Sequence, residues 1–351
     1  MKKIIILPFL FLAILSWGQA QFVVQNGAKT EVYNNINTAI TNAVAGDTLY
    51  LPGGGFTISN TTIDKTLHWV GQGHYPSETE ATMQTRITTP LTFTGNCDNS
   101  SFEGIFFTSI LNFGSSGDEA LNIKMKRCRT LSHLTLRASS TGNPDLNFQL
   151  SECVTGPLNA NNGSNCLIEK SLIFGQITNF VQALFLHNTI NVGAVSNRVI
   201  YYGSGNTFND NVFGYEWGIY KSGSNTFNNN IFQSSLPFTP PSDSNNGSNN
   251  IINVGSSNMF TDVSHSVYIY TFSYDNDYHL NPASTGTTQD GGTTGVSIIG
   301  TASDGTNTGI YGTATPYKTI PYYPHINTAV IANEAVNDQL DVNINAEAQS
   351  R

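Results

Sequence analysis

Asn206-Thr207-Phe208-Asn209-Asp210-Asn211-Val212-Phe213 is followed 19 residues later by Asn225-Thr226-Phe227-Asn228-Asn229-Asn230-Ile231-Phe232. Weaker copies precede the pair at residues 167–173 and 184–190. The last apolar positions of the four copies are Ile173, Ile190, Phe213 and Phe232, with steps of 17, 23 and 19. A period of about 20 residues marks one supersecondary unit repeated along a solenoid. Leucine-rich repeats have a similar length, but these units lack the leucine pattern. They also carry Asn where a helix would place Ala, Leu or Glu. Each unit reads as short β-type runs broken by Gly, Ser and Asn, the residues of tight turns. Three strands and three turns fill one unit. Coils stacked at a strand spacing of ~4.8 Å align equivalent residues in columns. Phe and Ile columns make the interior. Asn188, Asn211 and Asn230 fall in one column with Ser171 and Cys153, and stacked Asn side chains can hydrogen-bond as a ladder.

Upstream of the repeats, residues 33–43 place Ile36, Ala39, Ile40 and Ala43 on one helical face. An amphipathic helix there caps the open end of a solenoid, which would otherwise expose apolar side chains and unpaired backbone. Residues 47–51 and 56–58 read as the first strands, joined by Pro52-Gly53-Gly54-Gly55. Residues 235–246, with Pro237, Pro240 and Pro241, read as a loop projecting from one coil. Beyond Pro324 the alternating run 340–346 is expected to pair with 328–332 as a terminal cap or edge hairpin.

The first 20 residues read as a secretory signal: Lys2 and Lys3, an apolar run from Ile4 to Leu15, then Gly18-Gln19-Ala20 at the cleavage site. The run is too short to span ~30 Å of hydrocarbon, and no later segment looks membrane-spanning. The expected organisation is a signal peptide at 1–20, a parallel β-helix at 21–325 and a C-terminal cap or edge strands at 326–351. Secretion or display at the cell surface follows, with the periplasm as the other destination. The chain carries 15 basic and 24 acidic residues, and losing Lys2 and Lys3 takes its net charge from −9 to −11. That balance argues against nucleic acid as a partner. Cys97, Cys128, Cys153 and Cys166 match no zinc spacing. They read as buried thiols stacked inside the solenoid, with a Cys128–Cys153 bridge between neighbouring coils as the alternative.

The opening phrase at residues 36–58, INTAITNAVAGDTLYLPGGGFTI, resembles the start of the pectin-lyase-like superfamily of right-handed parallel β-helices. SFEGIFF at 101–107 resembles one of its coils. YDNDYHLNPAS, at 274–284, and DGTNTGIYG, at 304–312, resemble the closing segment of many secreted members of Bacteroidetes-type bacteria. The resemblance covers about residues 30 to 325 and implies an all-β right-handed solenoid. It does not imply one activity, because the fold hosts lyases, hydrolases and non-enzymatic adhesins. A polygalacturonase-like site would need paired aspartates, Gly-His-Gly and Arg-Ile-Lys, and none of these occurs. The clustered Ca²⁺-binding carboxylates of a pectate-lyase-like site are also missing.

Two candidate surfaces remain. The position before the Asn column reads Glu152, Lys170, His187, Asp210 and Asn229 on successive coils. A β-eliminating lyase needs a base for the proton α to a uronate carboxylate, and donors or a cation for the enolate-like charge. Lys170 or His187 would be the base, with Glu152 and Asp210 tuning it or holding Ca²⁺. The plainer reading is a solvated polar column of alternating charge. The second surface is aromatic. Tyr201 and Tyr220 are 19 apart, each after an Ile that faces inward, and Tyr202, Tyr215 and Trp217 lie close in sequence. A row of outward rings suits the apolar faces of sugars, or it simply stabilises the sheet. Asp275, Asp277 and Asp290, in Gly- and Asn-rich loops, are further candidates for Ca²⁺. The expectation is a non-catalytic binder of a polysaccharide or cell-surface glycan, against two alternatives: a lyase or hydrolase of acidic polysaccharide, and a structural surface module.

Overall fold

The computed structural model describes residues 20–319 except 115–116, 138–141, 143, 192–197, 216–217, 236–243, 256–258, 264, 267–268 and 271, together with 325–331, 339 and 342–347. The expected signal peptide, apart from Ala20, lies outside the described residues, as do Trp217 and most of the expected projecting loop. The chain is a parallel β-solenoid of about nine turns. Among the described residues, twelve strands form sheet I, twelve form sheet II and eight form sheet III.

The repeat unit explains how one coil is made. In the coil that opens on Asn206, Thr207–Asn209 belongs to sheet I and Val212–Tyr215 to sheet II. Ile219–Tyr220 then belongs to sheet III. The next coil pairs in parallel with it, Phe208 facing Phe227 and Phe213 facing Phe232. These aromatic side chains point inward and stack. Ring centroids lie 4.6 Å apart for Phe185–Phe208, 4.8 Å for Phe208–Phe227 and 4.7 Å for Phe213–Phe232. Toward the N-terminus the same inward column of sheet I holds Trp69, Phe102, Met125, Leu150 and Ile168, all buried.

Sheet I turns into sheet II within two residues. The first adopts left-handed backbone at Arg127, Glu152, Lys170, His187, Asp210, Asn229 and Asn249, with φ between 45° and 59°. Non-glycine residues resist that conformation by about 1–2 kcal/mol each. At the six later corners, from Glu152 on, the second residue supplies a side-chain acceptor to the coil before it. Cys153 Sγ accepts from the Cys128 amide (3.4 Å), and Ser171 Oγ from the Cys153 amide (3.1 Å). The Oδ1 atoms of Asn188, Asn211, Asn230 and Asn250 continue the series at 2.8–3.0 Å. The Asn side chains also bond one another at 2.9–3.1 Å. The expected ladder is therefore present and reaches from Cys128 to Asn250. The sulfurs in it are thiols, so the Cys128–Cys153 bridge is not formed.

A second ladder, not expected from the sequence, turns sheet III into sheet I. Asn206 Oδ1 accepts from the Ala183 amide, Asn225 Oδ1 from Asn206 and Asn245 Oδ1 from Asn225, each at 2.9 Å. Here too the preceding residues, Gln182, Ser224 and Ser244 among them, are left-handed.

At the N-terminal end, Phe22–Asn26 and Lys29–Tyr33 form an antiparallel pair, and the first of them continues sheet I onto Asp47–Tyr50. Between them helix α1 (Ile36–Asn42) starts at Asn35, whose side chain accepts from the amides of Asn37 and Thr38. Lys65 Nζ caps the other end, 2.9–3.3 Å from the carbonyls of Ile40, Thr41 and Ala43. Ile36, Ala39, Ile40 and Ala43 are all buried in the interior cluster. In the Gly-rich connection, backbone at 82–83 passes so close that a Cβ on Gly53 would sit 1.7 Å from the Thr82 carbonyl oxygen. The second strand begins at Gly54, two residues earlier than expected. Near the C-terminus His325–Ile331 pairs antiparallel with Val342–Glu347.

Substituting Asn211→Leu keeps the branching of the side chain but leaves buried amides of Asn188 without acceptors. Each such group costs about 1–3 kcal/mol. Denaturant unfolding is expected to show a loss of ~3 kcal/mol or more, against under ~0.5 kcal/mol for the exposed Asn246→Ala.

Candidate functional site

From Val154 to Ile251 sheet II is largely apolar on both faces. Its outward column runs Val154, Leu172, Thr189, Val212, Ile231 and Ile251. A second apolar cluster covers this column, built from Met259, Phe260, Tyr278, Leu280, Ile298, Ile310 and Tyr317. The described residues between 254 and 319 thus form an arm that leaves the last coil and runs back along sheet II. At its far reach Tyr274 Oη lies 3.4 Å from His74 Nδ1, and the Tyr75 and Tyr317 hydroxyls meet at 2.7 Å. Arg129 sits between the rings of Phe106, Phe272 and Tyr274, 4.5–4.8 Å from each centroid. Consecutive apolar residues such as Leu172-Ile173, Val212-Phe213 and Ile231-Phe232 are the sequence signal of a sheet covered on both sides.

The charged column lies on the left-handed corner beside this arm. Glu152, His187 and Asp210 are buried, at 6%, 8% and 3% exposure, so the solvated column expected from the sequence is not what forms. Glu152 pairs with Arg127, one coil back, at 2.7 Å. Arg127 occupies the same register before Cys128 that Glu152 occupies before Cys153, and this spacing identifies it. Lys170 Nζ reaches the Thr315 carbonyl at 3.1 Å. His187 Nε2 lies 3.6 Å from Asp210 Oδ2. The Asp210 carboxylate accepts from the Ser303 amide (2.8 Å) and hydroxyl (2.7 Å), and its carbonyl accepts from Gly309. A Cβ on Gly312 would lie 2.5 Å from His187 Nδ1, so the arm crosses the imidazole in close contact. Burial pushes the His187 pKa down, and the Asp210 carboxylate opposes the shift. Of the four residues only His187 and Asp210 come together. Lys170, His187 and Asp210 all fasten the arm.

The aromatic surface lies on sheet III. Register places Thr92, Asn112, Thr135, Asn159, Thr178, Tyr201 and Tyr220 in one outward column. The Tyr201 and Tyr220 rings are parallel, with centroids 5.0 Å apart and planes 11° apart. Tyr202, 39% exposed, stands edge-on to Tyr201 at 4.2 Å. It is left-handed, as is Lys221 one coil later, so the corner aims both side chains outward together. Lys221 Nζ lies 3.3 Å from Tyr202 Oη and 5.3 Å from the ring centroids of Tyr202 and Tyr220. Arg198 lies 5.9 Å from the Tyr220 ring. The Tyr202 phenol is shifted down, first by the Tyr201 hydroxyl and then by Lys221. The result is an exposed aromatic step flanked by two cations.

The loop aspartates serve their own turns. Asp290 Oδ1 accepts from Thr288 Oγ1 and the Gly292 amide, and Asp277 Oδ1 contacts His279 Nδ1 at 2.5 Å. Asp275 receives on Oδ2 the Ser273 hydroxyl. Among the described residues no group of three or more His, Cys, Asp or Glu side chains is placed to hold a metal ion. No described helix is long and apolar enough to cross a membrane. Comparison with known proteins finds no matching family model, no matching curated protein and no matching solved structure.

The arm's far contact is sensitive to acid. His74 is 2% exposed, and burial followed by the Arg129 charge lowers its pKa from 6.5 to about 3. The folded state therefore holds the neutral ring while the unfolded chain takes up a proton. This contribution to stability is complete above pH 6.5 and is lost as pH falls toward about 3. Thermal melts are expected to show Tm falling across that window, with a flatter acid limb in His74→Phe.

Proposed function

We propose that the chain is an exported right-handed β-helix of the pectin-lyase-like kind that binds a polysaccharide or cell-surface glycan without turning it over. The observation that carries this reading is the parallel Tyr201/Tyr220 pair, facing outward and bordered by Lys221 and Arg198. Sugar rings present C–H faces that pack on aromatic faces, and the two cations favour a ligand that carries carboxylate or sulfate. The Thr and Asn column leading up to the pair supplies hydroxyl and amide partners along the solenoid axis. Binding by an elongated strip tolerates a chain of repeated sugars, which suits adhesion or retention at a surface outside the cell.

The lyase or hydrolase reading rests on the His187–Asp210 contact. Its base would have to act from beneath residues 303–312, and Glu152 is already committed to Arg127. The structural-module reading leaves the tyrosine step without a ligand. Affinity electrophoresis of the chain from Gln21 in gels containing pectate, alginate, chondroitin sulfate or neutral polysaccharide separates the three. Retardation by an acidic polysaccharide is expected, weakened about tenfold in Tyr220→Ala, which corresponds to ~1.4 kcal/mol. Release of unsaturated or reducing product that is lost in His187→Ala would establish an enzyme instead. Failure of every gel to retard the protein, with no product formed, would leave the structural module.

A further inference from the structure

A cavity of about 640 Å³ opens at the C-terminal end of the solenoid, where the corner between sheets I and II meets the hairpin formed by Thr285–Thr288 and Thr294–Ser297. Its volume lies in the range of small-molecule sites. Two of its lining residues, Asn229 and Asn249, occupy the left-handed corner on successive coils, at φ 54° and 56°. Their backbones are spent on the turn, and the Asn229 amide donates to the Ser248 carbonyl at 3.0 Å. Their side-chain amides make no hydrogen bond among the described residues, unlike the neighbouring Asn250. That residue donates to Gln289 Oε1 at 2.6 Å and to the Phe227 carbonyl at 2.8 Å. Asp290 turns one carboxylate oxygen toward Thr288 and Gly292 and keeps the other for a donor. Ile251 and Val296 complete the lining with apolar surface.

This combination selects a ligand. Two amides and a carboxylate offer donors and acceptors to hydroxyl groups, each of which gives one hydrogen bond and accepts two. The apolar residues suit the C–H face of a ring. None of the lining residues is Lys, Arg or His, and Asp290 repels an anionic group. We propose that this cavity is a binding site for a neutral sugar, separate from the tyrosine step on sheet III and opposite to it in charge preference. Asn229 and Asn249 bind the hydroxyls, with Asp290 as acceptor. Gln289 holds the wall in place by closing the end of the Asn ladder and donating to the Gly247 carbonyl at 2.8 Å.

Saturation-transfer NMR on the chain from Gln21, with maltose, cellobiose and lactose as probes, tests the site. Asn229→Gly/Asn249→Gly removes both side-chain amides and puts at each corner a residue that adopts positive φ without steric cost, so the left-handed turn is kept. Ser248→Trp, an exposed position at the rim, obstructs the mouth by an independent route. At least one probe is expected to bind the unaltered chain and Tyr220→Ala equally. It should bind at least tenfold more weakly to the double glycine variant and to Ser248→Trp. Three results would each overturn the proposal: no probe binds, binding survives both cavity variants, or binding disappears with Tyr220→Ala. Because Tyr220→Ala is the variant that tests the acidic-glycan reading, failure of either site is distinguishable from failure of the other.

Discussion

The bond from a backbone amide on one coil to a side-chain acceptor on the next governs this molecule. A solenoid must turn sharply without leaving buried N–H groups unpaired. Between Glu152 and Asn250 each turn from sheet I to sheet II uses one left-handed residue and one rung, and the rung's oxygen or sulfur receives the amide of the preceding coil. The conformational cost of the left-handed residue is offset by that bond and by the packing of Phe columns it brings into register. Asn serves best because it accepts from the backbone and still donates a second bond to the next side chain, as Asn211 does with Asn230. Cys153 and Ser171 perform the first task alone.

The corner also explains why charged residues gather in a line. Once the left-handed position is fixed, its side chain points away from the interior toward whatever lies beside sheet II. In the middle coils that neighbour is the arm, so Lys170, His187 and Asp210 become attachments. At the last coils the arm has turned into a hairpin that stands off the corner, and Asn229 and Asn249 line open space. The same register position therefore yields an anchor or a cavity wall, depending only on how closely the arm approaches.

Much of the architecture was legible because a period near 20 residues fixes columns, and columns fix which side chains meet. The Tyr201/Tyr220 stack and the rungs from Cys153 to Asn230 follow from counting alone. The second ladder had its signal too, since Asn206 and Asn225 open the two near-identical segments, but one Asn at a repeat boundary looks like any turn residue. The arm was harder to foresee. Tyr75 and Tyr317 are 242 positions apart, and no local pattern links them. Without the arm, the charges at Glu152, His187 and Asp210 read as solvated, whereas burial turns them into fixed pairs. Arg127 is harder to see because it lies one coil before Glu152, well ahead of the segment in which the repeat is strongest.

The ladder also has a direction. Each rung's amide points toward the coil that comes later in the chain, so a coil is fully hydrogen-bonded only when its successor has arrived. A protein that emerges from its N-terminal end first would hold one unsatisfied edge at all times, always the most recent. The side-chain edge closes when Gln289, which lies beyond the last rung, accepts from the Asn250 side-chain amide. The stack is in this sense vectorial: it has a natural order of assembly and a built-in stop.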